Sequence, residues 1–101
     1  RHSPAENVFD FLKKMKCNVN FFDPNVDYWD YIKKKTVSKN KIKNFDVFIY
    51  LIKHKIFKDL KIGFKKNSII LDLNHVLDKN KKEKILLNKN LKSYFIGSKF
   101  I

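Results

Sequence analysis

One cysteine, one alanine, two glycines and two prolines are all that 101 residues hold of those types. A single thiol, Cys17, permits neither an internal disulfide nor a multi-cysteine metal site. So little glycine and proline excludes collagen-like, flexible-linker and proline-rich chains. Long apolar runs are missing as well. The longest, Val47 to Ile52, has six residues, whereas a helix that crosses a bilayer needs about 20. Glutamate occurs twice and arginine once.

What the chain does have is lysine. Twenty-two of its 23 basic residues are Lys, against ten acids, for a net charge of +13. Eleven Asn and eleven Ile accompany them, the vocabulary of AT-rich coding, which explains Lys in place of Arg but not the scarcity of Glu. The charge is uneven. Residues 1–32 carry −1 and residues 33–101 carry +14, which predicts a polyanion against the later part of the chain. With 44% apolar residues the composition is that of a folded domain. No secretory signal is visible, and an opening at Arg1 fits a removed organellar leader.

The chain reads as a single domain or domain fragment in four parts. Residues 1–32 hold a helix and an aromatic segment. Ser3-Pro4-Ala5-Glu6 is a helix start, with a capping hydroxyl, a preset φ and a capping-box acid. Val8, Phe11, Leu12 and Met15 give that helix one apolar face to about Cys17. After an Asn/Asp/Pro-rich loop, Tyr28, Trp29, Tyr31 and Ile32 read as a short helical turn. Residues 33–44 read as an exposed basic loop. Residues 45–60 place Phe45, Phe48, Ile49, Ile52, Ile56 and Leu60 on one stripe, which predicts an amphipathic helix capped by Asn44.

Residues 68–99 change character. Ser68 to Leu73 and Ser93 to Ile96 are short runs without alternation, which suits parallel strands buried on both faces. Between them lie about 19 residues without Gly or Pro, with Asn74 as the helix cap. Strand, helix, strand at this spacing is a βαβ unit. The fold class is therefore α/β, N-terminal helices followed by a βαβ unit of a parallel sheet. Two strands leave their edges and faces open, so either another chain completes the sheet or this is one piece of a longer domain.

No catalytic constellation stands out. Asp72, His75 and Asp78 are spaced for a metal on one helical face, but a strand end and a first helical turn account for them better. Cys17 with His2 or His54 makes no more than a nominal nucleophile pair. Gly97-Ser98-Lys99 lacks the earlier glycine of a phosphate loop and reads as a strand-end turn. No catalytic residue, cofactor or metal is expected, and no enzyme. Lysines meet phosphates as mobile point charges, without the fork by which Arg grips bases. Lys33, Lys34, Lys35, Lys39, Lys41 and Lys43, with Lys65 and Lys66, are the expected RNA-phosphate contacts.

The stretch Lys61-Ile62-Gly63-Phe64-Lys65-Lys66-Asn67-Ser68-Ile69-Ile70-Leu71-Asp72-Leu73 resembles a glycine-then-strand segment of the small-subunit ribosomal protein S-two family. Tyr94-Phe95-Ile96-Gly97-Ser98-Lys99 resembles that family's second strand. Upstream, two registers stay open. Phe11-Leu12-Lys13, Val19-Asn20-Phe21 and Tyr28-Trp29 resemble the family's opening, though Asn20 and Phe22 replace its histidine and glycine; Tyr50-Leu51-Ile52-Lys53 with Ile56-Phe57 resembles it equally.

The resemblance implies a structural constituent of an organellar small ribosomal subunit. Its partners would be ribosomal RNA, neighbouring ribosomal proteins and a second chain completing the sheet, with no membrane. The mitochondrial matrix is the implied location and the plastid the alternative. Two competing readings remain. One is a lineage-specific accessory subunit of an organellar complex, held by protein contacts. The other is a small nuclease or DNA-binding module, with Asp72, Asp78 and Lys79 as the nuclease candidates.

Overall fold

Ser3 and Pro4 open the first helix as their types predict, in a computed structural model that describes residues 3–96. Helix α1 (Pro4–Lys14) has Ser3 as its N-cap, with Ser3 Oγ accepting the Glu6 amide at 3.2 Å. Glu6 in the first turn and Lys13 and Lys14 in the last complement the helix dipole. The helix stops short of Cys17 because Lys16 turns left-handed, φ 62°. The Lys16 amide then donates to Lys13 and the Cys17 amide to Leu12, a Schellman ending.

The chain divides into two compact units, Arg1–Ile42 and Lys43–Ile101. In the first, the aromatic segment is a hairpin and not a helical turn. Strand β1 (Tyr28–Trp29) pairs antiparallel with β2 (Lys34–Lys35), Trp29 opposite Lys34. The reversal at residues 30–33 closes with Lys33 at φ 54°. Trp29 gathers the rings. Phe9 and Phe21 meet it edge-on at 6.0 and 5.7 Å, and Tyr31 stacks at 6.1 Å. The Tyr31 hydroxyl donates to the Asp10 carboxylate, fastening the hairpin to α1. Nor is 33–44 a free loop. It supplies β2 and a 3₁₀ helix, Lys39–Asn44, that buries Ile42.

In the second unit the predicted helix over 45–60 is absent. Val47-Phe48-Ile49-Tyr50 form strand β3 (Val47–Tyr50), and only α2 (Ile56–Asp59) is helical. The six-residue apolar run satisfies a 3.6 period and a 2 period alike. Branched and aromatic side chains with a parallel partner settle it as strand. Strand β4 (Ile69–Asp72) follows, then α3 (Lys79–Leu87) and β5 (Lys92–Phe95).

The three strands make one parallel sheet in the order β3-β4-β5. The α/β class therefore holds, and the chain itself supplies the third strand. Register places Phe48, Ile70 and Ser93 side by side on one face, followed by Tyr50, Asp72 and Phe95. On that face Ile70 and Phe95 are fully buried, each worth roughly 1.5–3 kcal/mol of transfer free energy. Val76, Leu77 and Ile85 join the buried set. The opposite face carries Val47, Ile69 and Tyr94, all exposed, so the strands are not buried on both sides.

Helix α3 is capped by Asp78, not Asn74. Asp78 Oδ1 accepts the Lys81 amide at 2.9 Å. The turn expected at Gly97-Ser98-Lys99, and His2 as a partner for Cys17, lie outside the described residues.

Candidate functional site

A carboxylate in an apolar sheet is costly unless its oxygens are fully hydrogen-bonded. Asp72 is the last residue of β4, the central strand, and is wholly buried. Its Oδ1 accepts the amides of Asn74 and Val76 at 3.2 and 2.9 Å, and its Oδ2 accepts that of Leu77 at 2.9 Å. One side chain thus folds residues 73–77 into a tight turn above the carboxyl end of the strand. Asp78 ends the turn by capping α3. Asn74 and His75 stand exposed at its crest, His75 held left-handed at φ 50°.

The neighbouring strand is tied to this turn. The Asn74 side-chain amide donates to the Leu51 carbonyl at 2.9 Å, one residue past the end of β3. From there the chain runs through exposed Ile52, Lys53 and Lys55 into α2. His54 Nδ1 accepts the Ile56 amide at 3.2 Å and so serves the start of that helix. Phe57 packs edge-on against Tyr50 at 5.9 Å and His54 at 6.2 Å. Burial, helped by the Asp72 charge, pushes the Tyr50 phenol up to about 12. From α3, Lys81 Nζ donates to the carbonyls of Phe57 and Leu60.

The carboxyl ends of adjacent parallel strands are where open α/β sheets bind their ligands. This edge has its own chemistry. Asp72 has already taken the amides of Asn74, Val76 and Leu77, so they offer no backbone cradle to a phosphate. Among the described residues, Lys53, Lys55 and His75 are exposed cationic or polar side chains in the segments that follow β3 and β4. Of the carboxylates named with Lys79 in the nuclease reading, Asp72 spends both oxygens on backbone amides and Asp78 spends Oδ1 on the Lys81 amide. Among the described residues no group of three metal-ligating side chains is assembled.

The lysines singled out from sequence are scattered. Lys33, Lys34, Lys35, Lys39 and Lys41 belong to the first unit, Lys43, Lys65 and Lys66 to the second. Lys34 is half-buried, its Nζ donating to the Val19 carbonyl and to Asn18 Oδ1. Lys65 pairs with Asp46 at 2.7 Å. Lys33, Lys35, Lys39, Lys41, Lys43 and Lys66 are exposed. Sequence reasoning gave Asn74 only the role of a helix cap and did not single out Lys53 or Lys55. The available signal was Asp72 at the close of an apolar strand, a short acid that can accept the backbone amide two residues on and close a turn.

A family model described as UDP-glucose/GDP-mannose dehydrogenase family, UDP binding domain, matches residues 1–79, from α1 through the turn after β4. No curated protein and no solved structure matches the chain. The family match overturns the resemblance to ribosomal protein S-two. The residues behind that resemblance are those around strands β4 and β5, and short branched runs of this kind suit the parallel strands of other α/β families as well. With it go the structural role in a small ribosomal subunit, translation, and ribosomal RNA and ribosomal proteins as partners. The alternative of an accessory subunit of an organellar complex goes too.

Proposed function

Because the chain belongs to the UDP-glucose/GDP-mannose dehydrogenase family, we propose that it is a nucleotide-recognition module. It holds uridine diphosphate at the carboxyl edge of its parallel sheet. The observation that carries this reading is the match itself, which runs through both units as far as Lys79 and so takes in the Asp72-closed turn. The diphosphate lies against Lys53, Lys55 and the Asn74–His75 crest. Lysine ammonium groups and polar side chains do the work that backbone amides do in a glycine-rich loop. The net charge of +13 draws such an anion in. The chain's part is to bind and orient, and its buried carboxylate organises the turn.

Titration of the isotopically labelled chain with UDP, followed by amide NMR, tests the proposal. Saturable shifts concentrated at residues 51–55 and 73–78 are expected. Inorganic pyrophosphate serves as the charge-only control. Equal responses to UDP and pyrophosphate would reduce the site to general polyanion binding, and no saturable response would end the reading.

A further inference from the structure

Helix α2 has four residues, far fewer than the dozen or more an isolated helix needs to persist in water. Its own closure is a single turn, the Leu60 amide to Ile56 and the Phe57 amide to His54. What holds it is foreign to it. Lys81, from the first turns of α3, places its Nζ between the Phe57 and Leu60 carbonyls, the latter at 2.8 Å. These are carbonyls at the helix's C-terminal end, where the dipole is negative and a cation is favoured. At its other end the same segment is held by Asn74 on Leu51. The crossover bearing Lys53 and Lys55 is thus gripped by two polar side chains from the second crossover.

We infer that Lys81 is a positioning residue for the nucleotide site: by clamping α2 it fixes the course of the β3–β4 crossover and hence where Lys53 and Lys55 stand. The inference rests on the UDP reading above for the identity of the ligand. It touches no phosphate in this role. Its cost is visible in its chemistry, since desolvation lowers its pKa while Asp78 and Asp59 oppose that shift and Lys84 and Lys61 add to it. An ammonium kept partly out of water is there to satisfy the two carbonyls.

The test uses the whole chain, with Lys81→Met and Lys81→Arg, and two readouts. Without ligand, hydrogen exchange at the Phe57 and Leu60 amides should quicken about tenfold in Lys81→Met. Exchange at the Leu73 amide, which bonds Tyr50 in the sheet, should stay unchanged, and Lys81→Arg should restore protection. With UDP, affinity should fall about fivefold in Lys81→Met and recover in Lys81→Arg. Unchanged exchange in Lys81→Met overturns the clamp. Quickened exchange with undiminished UDP affinity overturns the link to the site. A wild-type chain that binds no UDP overturns the nucleotide reading and the link together, and the exchange arm still decides the clamp.

Discussion

Tyr50 and Asp72 are register partners on the covered face of the sheet, a phenol set beside a buried carboxylate. Burial raises the Tyr50 pKa from 10.0 to about 12, and the Asp72 charge acts in the same direction. Below pH 10 the phenol is protonated folded and unfolded, so its contribution is fully present. Between about 10 and 12 the unfolded chain loses the proton first, and stability falls as pH rises. The shift corresponds to roughly 2–3 kcal/mol over that window. Tyr50→Phe should remove this part of the alkaline loss. Urea midpoints of both proteins at pH 9 and above pH 11 measure it, and parallel losses would contradict the assignment.

Asp72→Asn tests the buried anchor. Asparagine fits the space but must turn an NH2 group toward one of three backbone donors, leaving a buried donor unmatched. A loss of about 3 kcal/mol at neutral pH is expected, read from urea unfolding. A loss below about 1 kcal/mol would mean that the turn over residues 73–77 does not depend on that carboxylate.

Lys16 ends α1 at φ 62°, a conformation that costs an L side chain about 1–2 kcal/mol and glycine almost nothing. Lys16→Gly keeps the Schellman bonds, removes that strain, and gives back part of the gain as unfolded-state entropy. A net gain of about 1 kcal/mol, seen as a melting temperature raised by about 4 °C or more, is the expected outcome. Lys16→Ala should bring no comparable gain, since it keeps a Cβ in the same place.

Ser68 lies buried at the foot of β4, and its hydroxyl has no hydrogen-bond partner among the described residues. Removing a buried, unmatched hydroxyl relieves its desolvation. Ser68→Ala should leave the chain as stable or up to about 1 kcal/mol more stable. A marked loss in chemical denaturation would show that the hydroxyl has a partner.

Much of the backbone was legible where one local signal had no rival. Ser3, Pro4 and Glu6 specify the start of α1, and the branched runs around Ile70 and Phe95 specify two parallel strands. The helix between them was legible except for its start. Asn74 and Asp78 both qualify as caps, and the choice depends on Asp72, whose buried carboxylate takes the amides of residues 74, 76 and 77 and delays the helix. Strand β3 was not legible, because Val47–Tyr50 obeys both periods and its partner lies 22 residues on. The candidate site was hidden by abundance. With 22 lysines, charge runs drew attention to residues 33–43, whereas the structure singles out Lys53 and Lys55 by their place beyond the end of a strand.

Asn74 joins the two loops of the edge, and its removal should separate stability from binding. Asn74→Ala gives up one neutral, solvent-exposed hydrogen bond to Leu51, worth about 1 kcal/mol at most. It also frees the β3 exit from the β4 turn, so the groups meeting the diphosphate lose their common frame. UDP affinity should therefore drop about five- to tenfold, more than the stability change alone accounts for. Lys53→Ala combined with Lys55→Ala should act differently. Two phosphate contacts fewer flatten the salt dependence of binding, whereas Asn74→Ala leaves that slope intact. Calorimetric titrations at three salt concentrations tell the two apart. If Asn74→Ala flattens the slope as the lysine pair does, the crest contacts the phosphates through the charge it positions, and the bridge to Leu51 is not what shapes the site.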